Sequence, residues 1–242
     1  MGRRLGQHFL TDRSYLRRIA AAACPGREPL VIEIGPGRGA LTRELVPLAG
    51  RLIAVEVDAE LARGLRSAYP GITVIAADVL TVDLGQWGPA AVAGNLPYYI
   101  TSPILEKVFA LGPLLRRAVV LVQREVAERL AARPGTRDYG YLSVAAQLAT
   151  TPEILFRVPP GAFSPPPKVE SAAVLLTPRE RAAADAGRFL EFAGRAFRQK
   201  RKTLRNNLAP YYPRIAEMPE AGMRAEQLSI EQLADLHARL KS

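Results

Sequence analysis

The chain has 242 residues, 48% hydrophobic and 23% charged, which supports a packed core and argues against a disordered polymer. A formal net charge of +10 points to a polyanionic partner, nucleic acid ahead of a membrane surface, although general solubility in an arginine-rich organism would also account for it. Cys24 alone excludes an internal disulfide and suits a cytoplasmic setting, His8 and His237 leave no His/Cys metal cluster, and no apolar run nears the roughly 20 residues of a membrane helix.

At the start, Gly6-Gln7-His8-Phe9-Leu10 reads as domain sequence, so no removable presequence is expected. Leu30-Val31-Ile32-Glu33-Ile34 predicts a strand, followed by a glycine turn and a helix from about Ala40 to Leu48. Arg51 to Val57 predicts a second strand and Ala59 to Ser67 a second helix. The strand series continues with Ile72 to Ala76, Ala90 to Gly94 and Ala118 to Val122. Continuous apolar strands alternating with helical patterns indicate a parallel sheet covered on both faces. Helices are expected over Arg124 to Ala132 and Leu142 to Ala149. Ile154 to Val158 and Ala172 to Leu176, joined by the proline-rich Pro159 to Pro167, suit an antiparallel hairpin added to the sheet. This is a Rossmann-like α/β order of the class I methyltransferase type. After Pro178 only helical patterns remain, so the expected domains are 1–178 and a small all-helical 179–242.

Glu33-Ile34-Gly35-Pro36-Gly37-Arg38-Gly39 runs from a strand through a glycine turn into a helix. Glycines there let backbone approach a ligand. The spacing is G-x-G-x-G rather than the dinucleotide fingerprint G-x-G-x-x-G, with Ala at position 40. Glu56, at the next strand end, suits both hydroxyls of a ribose, and Asp78, at the third, an adenine amine. Each acid alone is as well explained as a helix cap or a solvated loop charge. Together they fall on one edge of the sheet, where ligands bind in open α/β folds. The absence of a hydride partner counts against NAD.

Asn95-Leu96-Pro97-Tyr98 closes the fourth strand. The Asn95 side-chain oxygen and the Leu96 carbonyl can each accept one hydrogen of an exocyclic amine, Pro97 fixes the turn, and Tyr98 offers a stacking face. Taken alone, the tetrad is equally a strand-end turn. With a nucleoside site beside it, S-adenosylmethionine is the economical cofactor.

On these residues the chain resembles the KsgA family of ribosomal RNA adenine N6,N6-dimethyltransferases over nearly its whole length. Gln123 to Leu130, Asp138 to Ser143 and Phe163-Ser164-Pro165-Pro166-Pro167-Lys168-Val169-Glu170-Ser171 are also family-like. So is Phe197 to Leu208, which resembles KsgA-type enzymes rather than the related Erm enzymes of large-subunit RNA. The resemblance implies cofactor contacts from His8, Leu10, Gly35, Gly37, Glu56, Asp78 and Asn95, and catalysis at Asn95 to Tyr98. His8 and Tyr99 stand where many members carry Asn. Phe163 is either a second stacking face for the target base or a core residue at a strand end.

The implied reaction is dimethylation of two adjacent adenosines in the 3′-terminal hairpin loop of 16S rRNA, coupled to maturation of the small subunit. The implied partner is 16S rRNA in the immature small subunit, with no membrane, no metal and a monomeric enzyme. From Arg188 to Arg214 there are eight Lys/Arg against one acid, Glu191. Arg198, Lys200, Arg201, Lys202 and Arg205 are the expected RNA grip, extended by Arg3, Arg4, Arg13, Arg17 and Arg18; a solvated helix face is the plainer reading of such a run. Two alternatives stand: an assembly factor whose docking outweighs catalysis, and an Erm-like methyltransferase of 23S rRNA.

Overall fold

The computed structural model describes residues 8–179 and 186–241. Gly6 and Gln7 of the N-terminal motif, with Arg3 and Arg4, lie outside the described residues. Strands β1 (Phe9–Leu10), β2 (Glu28–Ile34), β3 (Ala49–Glu56), β4 (Thr73–Ala76), β5 (Ala90–Asn95), β6 (Leu115–Gln123), β7 (Thr150–Val158), β8 (Phe163–Ser164) and β9 (Ser171–Pro178) form two sheets. Helices α1 (Arg13–Ala23), α2 (Ala40–Leu45), α3 (Ala59–Ala68), α4 (Thr101–Phe109), α5 (Arg124–Leu130) and α6 (Tyr141–Ala149) are followed by α7 (Ala186–Ala196), α8 (Leu204–Leu208) and α9 (Ile230–Lys241).

The large sheet has the order β4-β3-β2-β5-β6-β9-β7. Its first five strands are parallel, whereas β9 runs antiparallel to β6 and β7 antiparallel to β9. Leu30 to Ile34 and Ala90 to Ala93 are buried throughout, as continuous apolar runs in a sheet covered on both faces should be. Pro152 is tolerated because β7 is an edge strand. From β2 the chain steps outward to β3 and β4, then returns to the opposite side of β2 with β5. The connections on either side of β2 therefore diverge at its carboxyl end, the crevice that open α/β sheets use for ligands. Gly35 and Asn95 flank it.

Two helices escape the sequence reading. Asp12 starts α1 by accepting from the Ser14 backbone N–H at 2.8 Å, and Leu16, Ile19, Ala20 and Ala23 form its buried stripe. Pro103 sits in the first turn of α4, where a missing N–H costs nothing, so a residue that reads as a breaker does not break the helix.

Contacts divide the described residues into two units. One comprises those within Met1–Ala127 and Thr150–Glu180, the other those within Glu128–Ala149 and Arg181–Ser242. The segment 128–149, assigned by sequence to the first domain, thus belongs with the helical unit. That unit has its own core, in which Phe189, Phe192, Leu204, Leu208, Leu233 and Leu236 are buried with Tyr139 and Val144.

Gly94 shows how tightly β5 lies on β2: a Cβ there would sit 2.5 Å from the Ile34 backbone oxygen. The strand pair itself would have to separate. Gly94→Ala is expected to lower stability by about 1–3 kcal/mol in urea denaturation, the usual cost of overpacking. It should also impair the function of Asn95, the next residue.

Candidate active site

The glycine turn after β2 has left-handed backbone at Gly35 (φ 65°), Gly37 (φ 57°) and Gly39 (φ 79°), a region side chains with a Cβ rarely adopt. A Cβ on Gly37 would lie 2.8 Å from the Phe9 ring, so the turn and β1 close on each other only because this position is bare. The Gly37 N–H donates to Glu56 Oε2 at 3.0 Å and the Asp58 N–H to Glu56 Oε1 at 2.9 Å. Both carboxylate oxygens are thereby oriented, and each keeps a lone pair for a further donor. A cis-diol is the matching ligand. Asp78 caps the following turn through Oδ1, which accepts from Leu80 N–H at 2.9 Å. Capping and ligand contact are compatible here, because Oδ2 remains for a second donor.

Gly35, Gly37, Glu56 and Asp78 line one cleft together with His8, Phe9, Asn95, Leu96, Pro97 and Tyr98. All the cofactor and tetrad residues expected from sequence meet there except Leu10. Leu10 is 3% exposed and packs into the core, bordering a second recess. Sequence reasoning missed the apolar walls: Val57 and Val79, beside the two acids, and Ile100 and Ile104 beyond the tetrad. Their signal was adjacency, since each follows closely on a strand-end residue already singled out.

Asn95 is oriented by a single contact. Its Nδ2 donates to the His8 backbone carbonyl at 2.9 Å. A carbonyl can only accept, so the amide must point its NH₂ that way and keep Oδ1 as an acceptor. Among the described residues no donor reaches Asn95 Oδ1 or the Leu96 carbonyl, while the Pro97 carbonyl is taken by Thr101 Oγ1 at 3.0 Å. Two unpaired acceptors on consecutive residues result.

Tyr98 is held on two sides. Its hydroxyl lies 2.6 Å from Ser171 Oγ, and its ring stacks on His8 at 5.7 Å between centroids with 30° between planes. Burial raises the Tyr98 hydroxyl above its ordinary pKa, so it remains a neutral phenol. His8 Nδ1 in turn reaches the Pro165 carbonyl at 2.9 Å. Phe163 does not line the cleft. It is 4% exposed, pairs with Leu10 across β1 and β8, and lies in the core with Leu16 and Ala162, the placement that its core reading describes.

The second recess is bordered by Glu33, Gly35, Arg38 and Asn95. Glu33 is 1% exposed, and burial pushes its carboxyl up to about 8, aided by the negative charge of Glu56 and opposed by the Thr42 hydroxyl 2.6 Å from Oε2.

In the helical unit the basic run spans the turn between α7 and α8 and the first residues of α8. Arg198, Lys200, Arg201, Lys202 and Arg205 are exposed, and none has an acidic partner among the described residues. The turn is shaped by Asn207, whose buried amide donates to the carbonyls of Ala196 at 2.8 Å and Gln199 at 3.1 Å. Asn207 is therefore a clamp on the turn. Arg198 also donates to the Tyr211 hydroxyl at 3.1 Å, and Lys200 to the Arg137 carbonyl. Elsewhere, Arg13 and Arg17 both pair with Glu44 at 3.3 and 3.6 Å, and the Arg18 guanidinium lies 3.7 Å from the Phe156 ring centroid. The five cations of the run thus keep their charge uncompensated, whereas Arg13 and Arg17 do not.

A family model described as ribosomal RNA adenine dimethylase matches residues 2–242. Ribosomal RNA small subunit methyltransferase A of Acidobacterium capsulatum is 47% identical, the alignment covering 98% of this chain and 90% of that protein. The protein of the same name from Chlorobium chlorochromatii is 44% identical, covering 99% and 94%. Among solved structures, a dimethyladenosine transferase from Plasmodium falciparum superposes with a TM-score of 0.83 at 24% identity, covering 97% and 98%. The 23S rRNA methyltransferase ErmE gives 0.72 at 31% identity, covering 97% and 100%.

Glu33 yields a pH test. Between pH about 4.5 and about 8 the folded chain keeps this proton while the unfolded chain has lost it, so stability falls as pH rises through that window. Glu33→Gln removes that slope. Relative to wild type, the variant's stability in thermal melts should rise steadily from pH 5 to 8, a gain on the order of a few kcal/mol.

Proposed function

The chain belongs to the ribosomal RNA adenine dimethylase family, and on that footing we propose that it transfers methyl groups from S-adenosylmethionine to the N6 amines of two adjacent adenosines in the 3′-terminal hairpin loop of 16S rRNA. The support specific to this chain is the pair of unpaired acceptors, Asn95 Oδ1 and the Leu96 carbonyl, at the strand end beside an oriented carboxylate. An adenine N6 amine carries two N–H groups, and these acceptors match both.

The donor site fits the cofactor on its own chemistry. Glu56 keeps a lone pair on each oxygen for the ribose hydroxyls, Asp78 Oδ2 serves the adenine amine, and Val57, Val79 and Ile100 supply apolar walls for the ring. When bound, S-adenosylmethionine supplies an electrophilic methyl group. The N6 lone pair is delocalised into the adenine ring and is a poor nucleophile. Accepting both N–H hydrogens favours a pyramidal nitrogen and stabilises the positive charge that grows during transfer, which lowers the barrier rather than merely tightening binding. The product ammonium is acidic and loses its proton to water, so a dedicated base is unnecessary. Tyr98, fixed by Ser171 and His8, supports the extruded base on its free face.

The RNA is held by the run Arg198, Lys200, Arg201, Lys202 and Arg205, making residues 179–242 together with 128–149 the RNA-binding part. Small-subunit specificity is favoured over Erm-type action because the small-subunit relatives are the more similar in sequence, 47% and 44% identical against 31% for ErmE. The setting is the cytoplasm, the partner an immature small subunit, and the enzyme acts as a monomer.

The decisive experiment is tritiated methyl transfer to small subunits lacking these methyls, with 23S rRNA as control and nucleoside analysis of the product. N6,N6-dimethyladenosine in 16S rRNA alone is expected; label in 23S rRNA alone would overturn the substrate assignment. Asn95→Ala should lower kcat by roughly 10²–10³-fold, the usual cost of losing one aimed group in a preorganised site. If that variant still restores subunit maturation in cells, docking outweighs catalysis. Replacing Arg201 and Lys202 with Ala should weaken RNA binding at low salt. It should also flatten the dependence of log K on log salt by roughly 0.7–0.9 for each phosphate that is no longer neutralised.

A further inference from the structure

We propose that Tyr99 is a second stacking platform, which takes the base of the nucleotide next to the target adenosine. This rests on the reading that the cleft accepts an adenosine from RNA. Tyr98 and Tyr99 are consecutive and line the same cleft, yet the fold treats them oppositely. Tyr98 is pinned by Ser171 and His8. Tyr99 is 60% exposed, and neither its ring nor its hydroxyl has a partner among the described residues. It sits in the short turn Tyr98–Ile100 that leads into α4, so the backbone beneath it is fixed while the ring stands in water.

The segment that leads into β9 adds groups that suit a nucleotide. Ser171 ties Tyr98 to the start of β9, and the segment just before Ser171 therefore ends at the same edge of the sheet. That segment presents Val169, 46% exposed, and Lys168, an exposed cation with no acidic partner among the described residues. An aromatic ring, an apolar side chain and an uncompensated ammonium are what a base and its phosphate require.

The partner chemistry follows from the reaction. Extruding one adenosine breaks stacking on both of its sides and leaves its neighbour with an exposed face. A ring at the mouth of the cleft can take that face without hydrogen-bond selection, because every base has one. With two adjacent adenosines as substrate, the nucleotide not being methylated would rest on Tyr99 while the other occupies the Tyr98 pocket.

The test uses the full-length protein and a hairpin RNA carrying 2-aminopurine next to the target adenosine. A second RNA carries the probe several nucleotides away as control. Binding should quench the adjacent probe with wild type and with Tyr99→Phe, and the quench should be largely lost with Tyr99→Ala. Tyr99→Ala should also raise KM for RNA by about 5- to 150-fold, the range set by one base–aromatic stack. Its kcat at saturating RNA and its affinity for S-adenosylmethionine should be unchanged. Equal quenching and equal KM in Tyr99→Ala would overturn the platform. Quenching needs no turnover, so the two readings fail separately: a Tyr99-dependent quench without methyl transfer would sink the proposed reaction and leave the platform standing. Methyl transfer with no Tyr99 dependence would do the reverse.

Discussion

The hydrogen bond from Asn95 Nδ2 to the His8 carbonyl, 2.9 Å long, governs the chemistry of the cleft. An amide that could rotate would offer a donor and an acceptor alternately and would repel an amine half the time. Anchored against a carbonyl, it presents only its acceptor, beside the Leu96 carbonyl. The same residue that supplies the anchor also stacks on Tyr98 and reaches Pro165 through its ring. His8 thus joins the chain's N-terminal segment, the tetrad and the proline-rich connection into one wall. Which side chain stands at position 8 matters less for Asn95 than where its backbone lies, since the accepting atom is a main-chain oxygen. This makes the family departure from Asn to His at this position tolerable on physical grounds.

The sheet makes that contact available. Strand order reverses across β2, so Gly35 and Asn95 end neighbouring strands while the connections that follow them diverge. Glu56 lies one strand further out, its carboxylate fixed by the N–H groups of Gly37 and Asp58. Buried acids are costly unless they are hydrogen-bonded or protonated. The molecule uses both remedies at neighbouring strands: Glu56 is satisfied by backbone donors, and Glu33 holds a proton against a hydroxyl. The two carboxylates would otherwise repel across the glycine turn.

Charge is distributed unequally in function as well as in number. Arg13 and Arg17 share Glu44, and Arg18 rests on an aromatic ring, so those α1 cations contribute to local packing. The run from Arg198 to Arg205 has no acidic partner among the described residues, and its turn is held from beneath by Asn207. A net charge of +10 does not distinguish these cases. Pairing does.

Read alone, the amino-acid order specifies the sheet, the strand-end acids, the glycine turn and the tetrad, because each is a local pattern: apolar runs of strand length, glycines where backbone turns left-handed, and polar residues at strand termini. It also shows that the C-terminal run is basic. Whatever depends on distant partners is settled only by the fold. Phe163 and Tyr98 are both aromatic residues at strand ends, yet Leu10 covers the first while Ser171 and His8 hold the second at the cleft. Asn206 and Asn207 are adjacent and alike in composition, but only Asn207 turns inward to the carbonyls of the preceding turn. The segment 128–149 reads as more of the first domain, and it joins the helical unit because Tyr139 and Val144 bury into that unit's core. Local sequence specifies backbone preference and chemical type, whereas burial and hydrogen-bond partners are set by residues far away in the chain, in one case 87 positions apart.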